Sequence, residues 1–378
     1  MTLSQVDPSG LDEFSVVFTD RSLNHMSQRF QQVMIDISST MKNVYQADAM
    51  AIVPGGGTYG MEAVARQFTA SKKALIVRNG WFSYRWTQIL ETGDIADEVT
   101  VIKARQTGND LPAPFAPAPI EDVVAAIAEE KPAMVFAPHV ETSAGVMLPD
   151  DYIAALAKAA HDAGALFALD CVASGAIWVD MKSLGIDVVI SAPQKGWSAS
   201  PCAGLVMLSA RAVDVMESTT SSSYAVDLKK WHSIMQAYEN GGHAYHATMP
   251  TDALTGFRDA IMETQELGFD VAKERQFELG QKIRAVLADL GYKSVAARGY
   301  EAPGVVVCFT SDPAMQNGSR FKEQGMQIAA GVPLMCDEPE DFATFRIGLF
   351  GLDKLKDVDG TVSRFRAVAE RVTDKLAA

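Results

Sequence analysis

Lys195 stands in the run Ser191-Ala-Pro-Gln-Lys-Gly-Trp197, directly after the apolar stretch Val188 to Ile190. Open α/β sheets bind ligands at the carboxyl ends of their strands. An amine placed there can attack a carbonyl or carry a proton. A lysine alone in such a place is an ordinary solvated loop residue, so its company decides. Asp170 ends the apolar run Ala165 to Leu169, where an ionised carboxylate is costly unless paired. A helix N-cap or a structural ion pair would account for it equally well. The spacing of Asp170 and Lys195 fits two strand ends joined by one crossover.

Three further groups could serve the same site. Pro54-Gly-Gly-Gly-Thr-Tyr-Gly-Met-Glu62 follows the apolar run Met50 to Val53 and opens a helical pattern through Val64 and Phe68. Glycines there let backbone N–H groups approach an anion at a helix N-terminus, although a tight strand-to-helix turn needs glycine too. The run matches neither GxGxxG nor GxxxxGK[ST]. Asn79-Gly-Trp-Phe-Ser83 lies just past Ala74 to Val77, where an aromatic ring could stack on a planar ligand or simply pack in the core. Phe345-Arg-Ile-Gly348 puts an arginine inside an apolar strand, suited to a bidentate carboxylate or to an internal salt bridge.

The elements that must carry these residues follow from periodicity. Seven short apolar runs, Met50 to Val53, Ala74 to Val77, Val99 to Ile102, Ala133 to Ala137, Ala165 to Leu169, Val188 to Ile190 and Leu205 to Leu208, predict buried strands. Most gaps between them hold a helix. Ile153, Leu156, Ala157 and Ala160 share one helical face, closed by Gly164. Strands alternating with helices predict an α/β fold with a mostly parallel sheet covered on both faces. The proline-rich Leu111 to Ile120 reads as an extended loop. Beyond about residue 250 come a long helical stretch ending near Leu290, strands at Val305 to Phe309 and Phe345 to Leu349, and a closing helix at Val362 to Leu376, a smaller α+β unit. The expected division is residues 1–255 and 256–378, with the segment before Asp48 packed on one or both domains.

The 378-residue chain has 48% hydrophobic residues, and its net charge of −14 argues against nucleic acid and anionic membranes as partners. Any bound anion needs a local device. No secretory leader and no run long enough to span a bilayer is read from the sequence, so a cytoplasmic protein is expected. Cys171, Cys202, Cys308 and Cys336 lack CxxC spacing, which predicts free thiols and no metal site.

Together these residues resemble the class V aminotransferases of the fold-type I pyridoxal 5′-phosphate (PLP) superfamily, in the branch of alanine–glyoxylate and serine–glyoxylate aminotransferases. The similarity runs from about Gly55 to Gly351, and its most specific part is Asp170-Cys-Val-Ala-Ser174 followed by Gly185 to Gly196. The resemblance implies that Lys195 holds PLP as a Schiff base and Asp170 faces the pyridine nitrogen. It implies Val172 on one ring face and Phe82, rather than Trp81, on the other. Gly56, Gly57, Thr58 and Gln194 would hold the phosphate, and Thr142 the phenolic oxygen. Arg346 would bind the substrate carboxylate. A homodimer is implied, with Tyr245 and Thr248 of each subunit serving its neighbour's phosphate. One departure stands out: where relatives carry a Gly-Pro-Gly or Gly-Pro-Thr loop, this chain has Val17 to Asn24, which leaves Arg21, Asn24 and His25 as candidate pocket residues.

The implied reaction moves an amino group from a small L-amino acid, of alanine, serine or aspartate type, to a 2-oxo acid such as glyoxylate or pyruvate. Its nearest rival is cysteine desulfuration or C–S cleavage on the same fold, which needs a mobile cysteine. Cys308 lies within an expected strand and Cys171 and Cys202 flank the cofactor motifs, which leaves Cys336, in a loop, as the candidate. A nicotinamide-dependent dehydrogenase would need a GxGxxG turn and an acidic residue about 20 positions on, and neither is in place; a PLP-binding regulator would usually append a DNA-binding module, for which no spare segment is expected in this acidic chain.

Overall fold

The computed structural model describes residues 6 to 108 and 112 to 377, the last four as helix backbone alone. The readings of the first five residues and of Leu111 lie outside it.

All seven expected strands form. They are β1 (Ala49–Pro54), β2 (Lys73–Arg78), β3 (Glu98–Lys103), β4 (Met134–Pro138), β5 (Leu166–Asp170), β6 (Val188–Ser191) and β7 (Ala203–Leu208). Every residue of β4, β5, β6 and β7 is buried, as strands between two helical layers must be. They make one sheet in the order β1-β7-β6-β5-β4-β2-β3. β7 runs antiparallel to both β1 and β6, and the remaining pairs are parallel. Two reversals across β7 restore the direction, so β1, β2, β4, β5 and β6 end at the same edge of the sheet. That edge collects the turns carrying Thr58, Phe82, Thr142, Asp170 and Lys195.

The helices α1 (Gln28–Tyr45), α2 (Gly57–Phe68), α3 (Trp81–Thr92), α4 (Ile120–Glu130) and α5 (Asp150–Asp162) cover the sheet or extend its layers. The α2 helix comes unusually near β7, because a Cβ on Gly204 would lie 2.7 Å from the Gly60 nitrogen. The glycine pair thus lets the start of α2 reach over the sheet edge.

The C-terminal strands β8 (Val305–Phe309), β9 (Ala329–Ala330) and β10 (Thr344–Gly348) form a separate antiparallel sheet in the order β8-β10-β9. The single helical stretch expected before Leu290 is two helices, Thr251–Leu267 and Phe269–Asp289. They break at Gly268, whose φ of +93° few other residues tolerate. The first of these runs through residue 255 and packs on α1. The closing helix spans Val358–Ala377. Among the described residues no helix is long and apolar enough to cross a membrane.

Two expectations need correction. The proline-rich stretch is not a plain loop: Phe115–Ala116 pairs with Arg105–Gln106, and Phe115 N donates to the Val295 carbonyl at 2.7 Å. The alternating prolines leave the N–H groups of Phe115 and Ala116 free for those bonds. The N-terminal segment packs only in part. α1 is in the core, but Leu11, Phe14 and Val16 are 96%, 92% and 102% exposed, because no described residue lies over them.

Candidate active site

β1 ends in a turn that only glycine allows, since Gly55 has φ +125°. Gly56 then caps α2 without any side-chain hydrogen bond; Tyr59 N donates to the Gly56 carbonyl, and among the described residues the Gly57 and Thr58 N–H groups have no capping partner, as an anion would need. Gly57 is tight: a Cβ there would meet Val172 Cγ2 at 2.6 Å. This contact joins the turn after β1 to the loop after β5.

Asp170 is the last residue of β5, 8% exposed, and its Oδ1 accepts from Val172 N at 2.9 Å. Burial pushes its carboxyl up to about 6, Glu141's charge adds to the rise, and Arg85 opposes it. Lys195 follows β6, whose Ile190 is in register with Asp170. The two loops are locked together at Gly196, where a Cβ would fall 1.9 Å from the Gly175 carbonyl oxygen. The half-buried Lys195 amine lies 5.1 Å from the Phe350 ring centroid. Burial holds its pKa below the ordinary lysine value, and the Arg346 charge lowers it further. Beside it, Gln194 Oε1 is buried without a hydrogen-bond partner among the described residues.

Phe82 is held by a device that sequence reading missed. Glu141 is fully buried, and its carboxylate accepts from Phe82 N (3.3 Å), Ser83 N (2.9 Å), Ser83 Oγ (2.8 Å), Ser143 N (3.0 Å) and Ser143 Oγ (2.7 Å). Trp81 N donates to Ser143 Oγ at 2.9 Å. The hairpin after β4 therefore caps α3 from outside and brings Thr142 beside Phe82. A carboxylate within the buried run His139 to Ala144 was the available signal.

A cavity of about 120 Å³ lies among these turns. Lys195, Asp170, Gln194, Val172, Gly57, Thr58, Phe82 and Thr142 line it. Arg85, which the sequence gave no reason to single out beyond its helical spacing from Phe82, lines it too. Trp81 does not; it packs on Tyr84. Gly56 stays at the cap, with open space where a Cβ would point. Arg346, on β10, lies at the rim: its guanidinium carbon is 5.5 Å from the Phe82 centroid and its Nε donates to Ala330 O at 2.7 Å. No carboxylate among the described residues pairs with it, so the internal salt bridge left open by the sequence does not form.

Tyr245 and Thr248 are not brought to this cavity within the chain. Tyr245 is 56% exposed and shares a 3.2 Å hydroxyl contact with Thr248. The departing N-terminal stretch is also elsewhere: Asn24 Nδ2 donates to Glu13 at 2.7 Å, and His25 lies 5.6 Å from Tyr245 between ring centroids. The loop thiol is buried. Cys336 is 4% exposed and donates to the Arg78 carbonyl at 3.5 Å, and burial pushes its pKa up to about 12.

Known proteins resemble this chain in sequence and, where solved, in fold. A Synechococcus protein named soluble hydrogenase, small subunit, is 25% identical over 92% of this chain and 86% of its own. Alanine–glyoxylate aminotransferase 1 of Saccharomyces cerevisiae is 24% identical, over 82% of each chain. The crystal structure of a Nostoc alanine–glyoxylate aminotransferase superposes with a TM-score of 0.75 at 21% identity, over 93% of this chain and 89% of that one. The relatives' names diverge, so at this distance they speak for fold and family rather than for substrate. The family model for aminotransferase class-V matches residues 13 to 340, a span that takes in the whole large sheet and every cavity residue and stops just short of Arg346. With that continuous match over the turns that build the cavity, the chain belongs to the class-V aminotransferase family.

Proposed function

We propose that the chain is a PLP-dependent aminotransferase that moves an amino group from a small L-amino acid to a 2-oxo acid such as glyoxylate or pyruvate. The observation that carries this is the convergence of Lys195, Asp170 and the uncapped α2 N-terminus on one cavity. The residues present fit PLP. Gly57 has no room for a side chain, which leaves the α2 N-terminus open to an anion. Asp170 is a buried carboxyl with one hydrogen bond among the described residues, a cost that a protonated ring nitrogen relieves.

Bound PLP supplies an electron sink for the pair of electrons left when the α-proton departs. The chain's residues do the rest. Asp170 pairs with the protonated ring nitrogen and keeps the proton there. Phe82 and Val172 hold the ring plane between them, and Thr142 donates to the phenolic oxygen. Arg346 orients the substrate through its carboxylate, for which its fork of donors is suited. Lys195 Nζ takes the α-proton and returns it one carbon away. Its lowered pKa raises the fraction of neutral amine available to take the proton, and the ammonium so formed is the acid that returns it.

A homodimer completes the site in this proposal, with Tyr245 and Thr248 reaching the partner's phosphate. The exposure of Tyr245, and of Leu11, Phe14 and Val16, supports an interface there. The test is a spectroscopic screen. The purified protein should be yellow, lose that colour with the true donor and regain it with the true acceptor, and Lys195→Ala should abolish turnover. Sulfide release from cysteine with no colour cycle would favour the C–S cleaving alternative.

A further inference from the structure

Arg85 has no part in the proposal above, yet it lines the same cavity. It is half-buried on α3, one helical step from Phe82, with its guanidinium carbon 5.3 Å from that ring's centroid. Its Nη1 donates to Thr58 Oγ1 at 3.0 Å, in the first turn of α2. None of the ion pairs among the described residues includes it. Its charge opposes the rise that burial causes at the Asp170 carboxyl.

We propose that Arg85 is the cation that binds the phosphate dianion of the cofactor, acting with Thr58. This rests on the PLP proposal and deepens it. In a chain of net charge −14, a phosphate dianion needs a local cation. The rest of the cradle is neutral: glycine backbone, a threonine hydroxyl and a glutamine amide. The helix N-terminus adds only about half a charge. Lys195 and Arg346 are committed to the aldehyde and the substrate carboxylate. Arg85 also fixes the direction of the threonine proton. Because Thr58 Oγ1 accepts from the guanidinium, its own O–H is free to donate into the cavity, and the remaining guanidinium donors can reach the same anion.

The experiment compares PLP with pyridoxal, which has the aldehyde and ring but no phosphate, in equilibrium binding to the cofactor-free protein. Arg85→Met is expected to weaken PLP binding about 10- to 100-fold, the range for a hydrogen-bonded charge pair, while pyridoxal affinity stays within about twofold. Arg85→Lys should recover part of the loss, and it serves as the informative variant if Arg85→Met does not fold. The phosphorus resonance of bound PLP should stay in its dianionic position to lower pH in the wild type than in either variant. Equal losses for PLP and pyridoxal would overturn the proposal, since ring placement would then be the cause. So would unchanged PLP binding with a raised KM for an amino donor bearing a second anionic group, which would make Arg85 a substrate anchor. Failure of the PLP proposal itself is distinguishable, because the wild type would then bind neither aldehyde at Lys195.

Discussion

Asp170→Asn is expected to stabilise the cofactor-free protein while removing most of its activity. The carboxyl titrates near 6 in the fold and near 3.8 when unfolded, chiefly because burial penalises its ionised form. Between those pH values the fold keeps a proton that the unfolded chain has released. Its favourable share of stability is therefore fully present below about pH 4 and is lost as the pH rises through about 6. At about 1.4 kcal/mol per tenfold, the cost above that window is on the order of 3 kcal/mol. Asparagine has the same shape and no charge to bury. With unfolding entropy of about 2 cal/mol/K per residue, a chain this long should gain roughly 4 °C in Tm. Calorimetry of the cofactor-free proteins between pH 5 and pH 8 measures this, with the gap widening toward pH 8. Amino-group transfer in the same variant should fall about 10²-fold or more, as for loss of one placed electrostatic group. A variant no more stable than wild type at pH 8, or a gap independent of pH, would refute the assignment of Asp170 as a strained carboxyl waiting for a cationic ring.

Gly57→Ala should cost about 1–3 kcal/mol through the clash with Val172; calorimetry should find most of it restored in the double variant with Val172→Ala, and no restoration would place the strain elsewhere. Glu141→Gln replaces one carboxylate oxygen, and so turns an NH2 group toward at least two of the five donors; it should lower stability by about 3 kcal/mol in urea titrations. An unchanged midpoint would mean that α3 is not held by that carboxylate. Arg346→Gln removes a positive charge that lowers the Lys195 pKa, so the pH at which the cofactor-free protein reaches its full rate of reaction with pyridoxal should rise. A limb that does not move would show that the two groups do not sense each other.

Much of the site was legible in the sequence because its parts are local. A strand buried on both faces must be a short apolar run, and Met134 to Pro138 and Leu166 to Asp170 are that. A turn at φ +125° must be glycine, and Gly55 is. A charged group directly after such a run, as at Asp170 and Lys195, advertises a use. What the sequence could not decide was which strands are neighbours and in which direction β7 runs, and this alone brings turns from five strands to one edge. Glu141 and Arg85 were missed for the same reason. Their partners, Ser83 and Thr58, are distant in sequence, and hydrogen bonds across such distances leave no periodic trace. Local patterning determined the elements and the chemical types at their ends; the Asp170 carboxyl's rise, the locking of Gly196 on Gly175 and the cation beside Thr58 exist only because non-local packing excludes water and closes those distances.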